Sequence, residues 1–151
     1  MKWSAEYATG IERVDQQHQM LFQMAENFND SLTEGRGERV YGNLLGSLDA
    51  YARAHFGFED RCMTECHCPA AEANRDAHAK FIEALAEFRR RYAAIGFDRT
   101  DARSLTAYIE QSLTDHICRI DIQLRGCAKK DCVHETQAKR DTTHPALTLY
   151  N

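Results

Sequence analysis

Apolar residues recur at intervals of three and four through four long stretches between Gly10 and Arg125. That spacing is the signature of amphipathic helices that bury one stripe. The first stretch covers residues 11 or 12 to 32 and buries Val14, His18, Leu21, Phe22, Ala25, Phe28 and Leu32. A turn with two glycines, Thr33-Glu34-Gly35-Arg36-Gly37, leads into a second stretch at 38–65. Its stripe runs through Leu44, Leu48, Tyr51, Ala52, His55, Glu59 and Cys62, and it stops at Cys66-His67-Cys68-Pro69, where proline and its predecessor disfavour a helix. The third, 70–94, carries Asn74, His78, Phe81, Leu85, Phe88 and Tyr92 inward and ends at Gly96. Capping residues at 98–101 open the fourth, 101–125, with Leu105, Ile109, Leu113, His116, Ile120 and Leu124 inward, Asp121 close by, and Gly126 as its end.

Four helices of this length joined by short links predict an all-α, up-down-up-down antiparallel four-helix bundle. Residues 1–10 lack the helical period and form an N-terminal arm whose Trp3 and Tyr7 cover the bundle. The period is lost again after Gly126, so the chain divides into a bundle at 1–126 and an irregular Cys/His-containing C-terminal tail at 127–151.

The stripes are not purely apolar. His18 comes from the first helix, His55 and Glu59 from the second, Asn74 and His78 from the third, and His116 and Asp121 from the fourth. His55 and Glu59 are four apart and therefore stand one turn apart on one face. One such residue on a buried stripe is ordinary. Four helices each supplying one, with carboxylates on two of them, do not describe a passive core, because buried charges must be paired or bound to metal. Imidazoles combined with carboxylates that can span two ions suit a pair of iron or manganese ions.

Composition narrows the setting. The chain has 151 residues, a net charge of -4, seven histidines, six cysteines and two prolines. The mild charge does not point to nucleic acid or a membrane surface. The start lacks the apolar core of a signal peptide, and no run has the apolar length of a membrane span. The expectation is a cytoplasmic protein, a monomer from its charged outward faces, in which thiols and imidazoles serve metal or redox chemistry before structural disulfides.

The cysteines fall into groups. Antiparallel topology brings the link between helices two and three, with Cys66, His67 and Cys68, to the pole where the fourth helix ends and Cys127, Cys132 and His134 follow. These groups could bind zinc, form redox-responsive disulfides, or be ordinary exposed thiols, since neither CxC nor Cx4C is a standard zinc spacing. Cys62 lies one turn from Glu59 and reads as a small buried hydrophobe or as a group reaching toward the metal pocket; Cys118 reads as packed on another face.

The motifs closely resemble the hemerythrin family: Gly10-Ile11, then Val14-Asp15-Gln16-Gln17-His18 with Leu21-Phe22, His55-Phe56-x-x-Glu59 with Met63, His78-x-x-Phe81, and His116-Ile117 with Asp121. The resemblance spans about residues 3–125 in order and spacing. It implies a non-haem centre of two iron ions bridged by Glu59, Asp121 and an oxo or hydroxo group. His18 and His55 would hold the iron that keeps a position for O2, His78 and His116 would hold the other, and Leu113 would line the O2 pocket. One position departs: where the family pattern has HxxxH on the third helix, this chain has Asn74 before His78. Asn74 could bind through its amide oxygen, water or another side chain could take its place, or the second iron could be held loosely. The implied function is binding or sensing of O2 or a related small ligand. A di-iron peroxidase or oxidase, or a redox or iron sensor using the same site, is the alternative that Asn74 and the cysteines motivate.

Overall fold

A computed structural model describes residues 3–128. Four long helices, α1 (Glu12–Thr33), α2 (Gly37–Glu65), α3 (Ala71–Ile95) and α4 (Arg99–Arg119), form the antiparallel four-helix bundle expected from the pattern. A short helix α5 (Arg125–Ala128) follows a 3-10 turn at Asp121–Leu124. No strand occurs among the described residues.

Local chemistry sets the ends. Asp98 caps α4, its side chain accepting from the Asp101 backbone N–H at 2.7 Å. At the end of α2, His67 takes the left-handed conformation (φ 51°), and the Cys68 N–H bonds back to the Met63 carbonyl at 2.8 Å. Gly96 closes α3 at φ 75°, a conformation open to glycine at little cost. Gly42 serves packing: a Cβ there would meet the Tyr92 hydroxyl at 2.7 Å, so its absence lets α3 lie close to α2.

The interior is two apolar clusters. The larger includes Leu21, Phe28, Tyr41, Leu48, Ala52, Phe81, Leu105, Leu113 and Ile117. The smaller, at the other pole, joins Ile11, Val14, Phe58, Cys62, Met63, Cys66, Cys68, Leu124 and Cys127. His18 lies between Val14 and Leu21 on α1, and Glu59 lies between Ala52 and Cys62 on α2, so the polar residues form a layer separating the clusters.

The N-terminal arm is tied down as its aromatics suggest. Tyr7 stacks on Phe22 at 5.8 Å, and Trp3 packs against the larger cluster. Asp15 on α1 reaches back to Thr9, accepting from its N–H at 2.7 Å and its hydroxyl at 2.8 Å. Arg125 on α5 donates to the Ala8 carbonyl at 2.8 Å and the Glu6 carbonyl at 2.7 Å. The arm thus connects the start of α1 to the segment after α4.

Two expectations need correction. The fourth helix does not continue to residue 125; it ends at Arg119, and Gly126 lies inside α5 rather than terminating a helix. Cys118 is exposed rather than packed. The first follows from helix geometry. Asp121 is five residues past His116, about 140° around a straight helix, so the two could not face one point without a break. The 3-10 turn supplies that break and buries Asp121 completely.

Candidate metal centre

Each long helix delivers an imidazole or carboxylate to mid-depth, and the packing brings them together. His18, Glu59, Asn74 and Asp121 have no exposed surface, and His55 and His78 are buried. His116 keeps 14% of its side chain exposed. Two overlapping groups have donor atoms close enough to share an ion: His18, His55 and Glu59, and Glu59, His78 and His116. No other such group of His, Cys, Asp or Glu occurs among the described residues.

The two carboxylates stand between the groups. Glu59 Oε1 lies 3.5 Å from His18 Nε2, while its Oε2 lies 3.2 Å from His78 Nε2 and 3.8 Å from the Nε2 atoms of both His55 and His116. Asp121 Oδ2 lies 3.3 Å from His18 Nε2, and its Oδ1 lies 3.0 Å from His116 Nε2. The His78 and His116 Nε2 atoms approach to 3.1 Å. Both oxygens of Glu59 and of Asp121, both nitrogens of His18 and the Asn74 Oδ1 are buried without a hydrogen bond. So many buried donor atoms converging at ion-pair distances without aligned hydrogen bonds need a positive charge among them, which protonated imidazoles or a bound cation supplies. These His and Glu groups fit a non-haem di-iron site.

Residues that the sequence reading did not single out orient these rings. Gln17 Oε1 lies 3.2 Å from His55 Nδ1. Asp60 Oδ1 lies 3.2 Å from His78 Nδ1 and accepts from Asn74 Nδ2 at 2.9 Å. Hydrogen bonds at Nδ1 leave Nε2 free for metal. The only signal in the sequence was position: each is a polar neighbour of a site residue, Gln17 beside His18 and Asp60 beside Glu59. Phe56, within the HFxxE motif, stacks on His78 at 3.7 Å between ring centroids.

The electrostatics of the metal-free site are divided. Burial pulls His18 down, but Asp121 and Glu59 outweigh it and hold the imidazole at about 9. Burial likewise opposes His116, yet Asp121 and Glu59 raise it to about 10. Burial dominates at His55 and lowers it to about 4. Burial would raise Glu59, but the surrounding histidines hold it well below the usual carboxylate range.

A cavity of about 430 Å³ reaches the site. Its walls include Leu113, Leu21, Phe81 and Tyr108, with Lys80 and Gln111 from α3 and α4 also lining it. Leu113 and His116 both line this cavity. Cys66, Cys68 and Cys127 do gather at one pole, buried in the smaller apolar cluster, whereas Cys132 and His134 lie outside the described residues. Burial pushes the Cys62 thiol up to about 12, consistent with packing rather than thiolate chemistry.

A four-helix bundle holding a buried layer of histidines and carboxylates defines a helical metal-binding domain. Comparison with known proteins makes the class specific. Residues 9–125 match the hemerythrin HHE cation binding domain, and the chain belongs to the hemerythrin family. It is 30% identical over 115 residues to a bacteriohemerythrin of Stenotrophomonas maltophilia, covering 76% of this chain and 72% of that one. A bacteriohemerythrin of Methylococcus capsulatus is 25% identical over 122 residues, 80% and 91% of the respective chains. A hemerythrin of Siphonosoma cumanense is 29% identical over 126 residues, 82% and 90%.

Proposed function

We propose that this protein binds O2 reversibly at a pair of iron ions, as a cytoplasmic monomer. His18 and His55 hold one ion, His78 and His116 hold the other, and Glu59 and Asp121 span both. One observation carries this reading: each carboxylate turns one oxygen toward His18 and the other toward the second group, Glu59 Oε2 toward His78 and His116 with His55 also at 3.8 Å, and Asp121 Oδ1 toward His116. Kinship with proteins named bacteriohemerythrin and hemerythrin supports it.

The iron pair, when bound, supplies the electrons that capture O2. The chain supplies the rest. Gln17 and Asp60 fix the His55 and His78 rings, Phe56 stacks against His78, and Leu113 with Leu21 presents an apolar wall that disfavours water beside the site. The cavity gives a small apolar ligand a route inward.

A second reading has its own observation. His116 is partly exposed at the cavity, which gives peroxide and a reductant access as well as O2, so a di-iron peroxidase or oxidase would use the same residues. Iron(II)-loaded protein exposed to air and then to vacuum separates the two. Oxygen binding predicts an absorption band that forms and bleaches on each cycle. One-way conversion to a ferric spectrum, with turnover of hydrogen peroxide by a reductant, would replace it with the enzyme reading.

A further inference from the structure

Asn74 stands one turn before His78 on the inward face of α3 and is fully buried. Its amide nitrogen donates to Asp60 Oδ1 at 2.9 Å and also lies 3.5 Å from His78 Nδ1, while its Oδ1 is buried with no hydrogen-bond partner. An ionised carboxylate only accepts, so Asp60 selects the nitrogen side of the amide and repels the oxygen side. Because the amide is planar, its oxygen is then turned away from Asp60. The same Asp60 atom lies 3.2 Å from His78 Nδ1, the ring edge opposite the Nε2 that approaches Glu59 and His116. Asp60 is therefore placed to orient two neighbours and not to reach the metal position itself.

We infer that Asp60 is a positioning residue that locks the Asn74 amide with its carbonyl oxygen toward the position shared by His78 and His116, so that Asn74 donates oxygen where the family pattern has an imidazole. The inference rests on the two-metal reading above. It assigns that position two imidazoles and an additional neutral oxygen, a harder donor set than three imidazoles.

Anaerobic titration of the metal-free protein with iron(II), with metal counted per chain, tests this in five proteins: wild type, Asn74→Leu, Asn74→Asp, Asp60→Ala and the Asn74→Asp/Asp60→Ala double variant. Circular dichroism of the metal-free forms checks that each retains its helices. Asn74→Leu, close in shape but without a donor, loses the second iron, whereas Asn74→Asp keeps it. Asp60→Ala weakens the second iron about tenfold or more, as loss of an orienting partner typically does. In the Asn74→Asp background both terminal atoms are oxygens and orientation at residue 74 no longer matters, so Asp60→Ala costs only what it contributes through His78, a smaller loss than in the wild-type background. Wild-type affinity for two irons in Asn74→Leu would overturn ligation by Asn74. Equal weakening by Asp60→Ala in both backgrounds would overturn the orienting role and leave Asp60 acting through His78 alone. A wild-type chain that never binds a second iron would overturn the two-metal reading beneath the inference.

Discussion

At the scale of single residues, the site reconciles burial with charge by collecting opposite charges. His18 and His116, held at about 9 and 10, carry protons at neutral pH in the metal-free protein, whereas His55 at about 4 does not. Metal can bind only neutral imidazoles, so loading at pH 7 should release about two protons per chain. Affinity should accordingly rise as pH rises toward 9–10, where those protons leave anyway. Calorimetry in buffers of different ionisation enthalpy counts the protons directly; uptake without release would mean that these histidines do not ligate. Asn74→His tests the departure from the family pattern. Adding an imidazole at the second position should lengthen the lifetime of the oxygenated protein, read as the decay of its absorption band, and an unchanged lifetime would show that the departure does not tune oxygen binding.

Among the elements, much was legible because hydrophobic period and site residues share the same stripes. His18, His55, Glu59, Asn74 and His78 are buried, and His116 lies close beside them, because the helices are amphipathic and these positions are inward. The end of α4 was not legible, since the apolar period runs through Ile120 and Leu124 while the backbone breaks after Arg119. Only the five-residue step from His116 to Asp121 conflicts with a continuous helix. Asp60 escaped notice for a related reason: following Glu59 by one residue, it is turned about 100° from the inward stripe and reads as solvent-facing. Its role depends on α3 approaching from the other side. The start of α4 offers a clean test of local chemistry. Asp98→Ala removes the side-chain acceptor for the Asp101 N–H and should cost about 1 kcal/mol, measured by denaturant unfolding of the metal-free protein.

For the whole molecule, sequence-distant parts meet at the site. The 3-10 turn bearing Asp121 is followed by α5, and Arg125 there grips the arm carbonyls of Glu6 and Ala8, while Asp15 anchors Thr9 to α1. Arg125→Ala should therefore loosen the arm and the Asp121 turn together. Faster amide exchange in both segments, with the middles of α2 and α3 unchanged, is the expected signature; exchange altered only at the arm would uncouple the two. A core substitution acts differently. Leu48→Ala, in the larger cluster, should lower stability by about 2–5 kcal/mol through cavity formation, measured by denaturant unfolding, and leave the number of bound metals unchanged.

In the proposed centre, six side chains from four helices and one turn hold two metal ions. Metal content per chain after anaerobic iron loading and removal of loosely bound metal tests it most directly. The expected result is two irons per wild-type chain and a marked loss from both positions in Glu59→Gln, because that carboxylate faces both groups. One iron per wild-type chain, or two irons retained with undiminished affinity in Glu59→Gln, would contradict it.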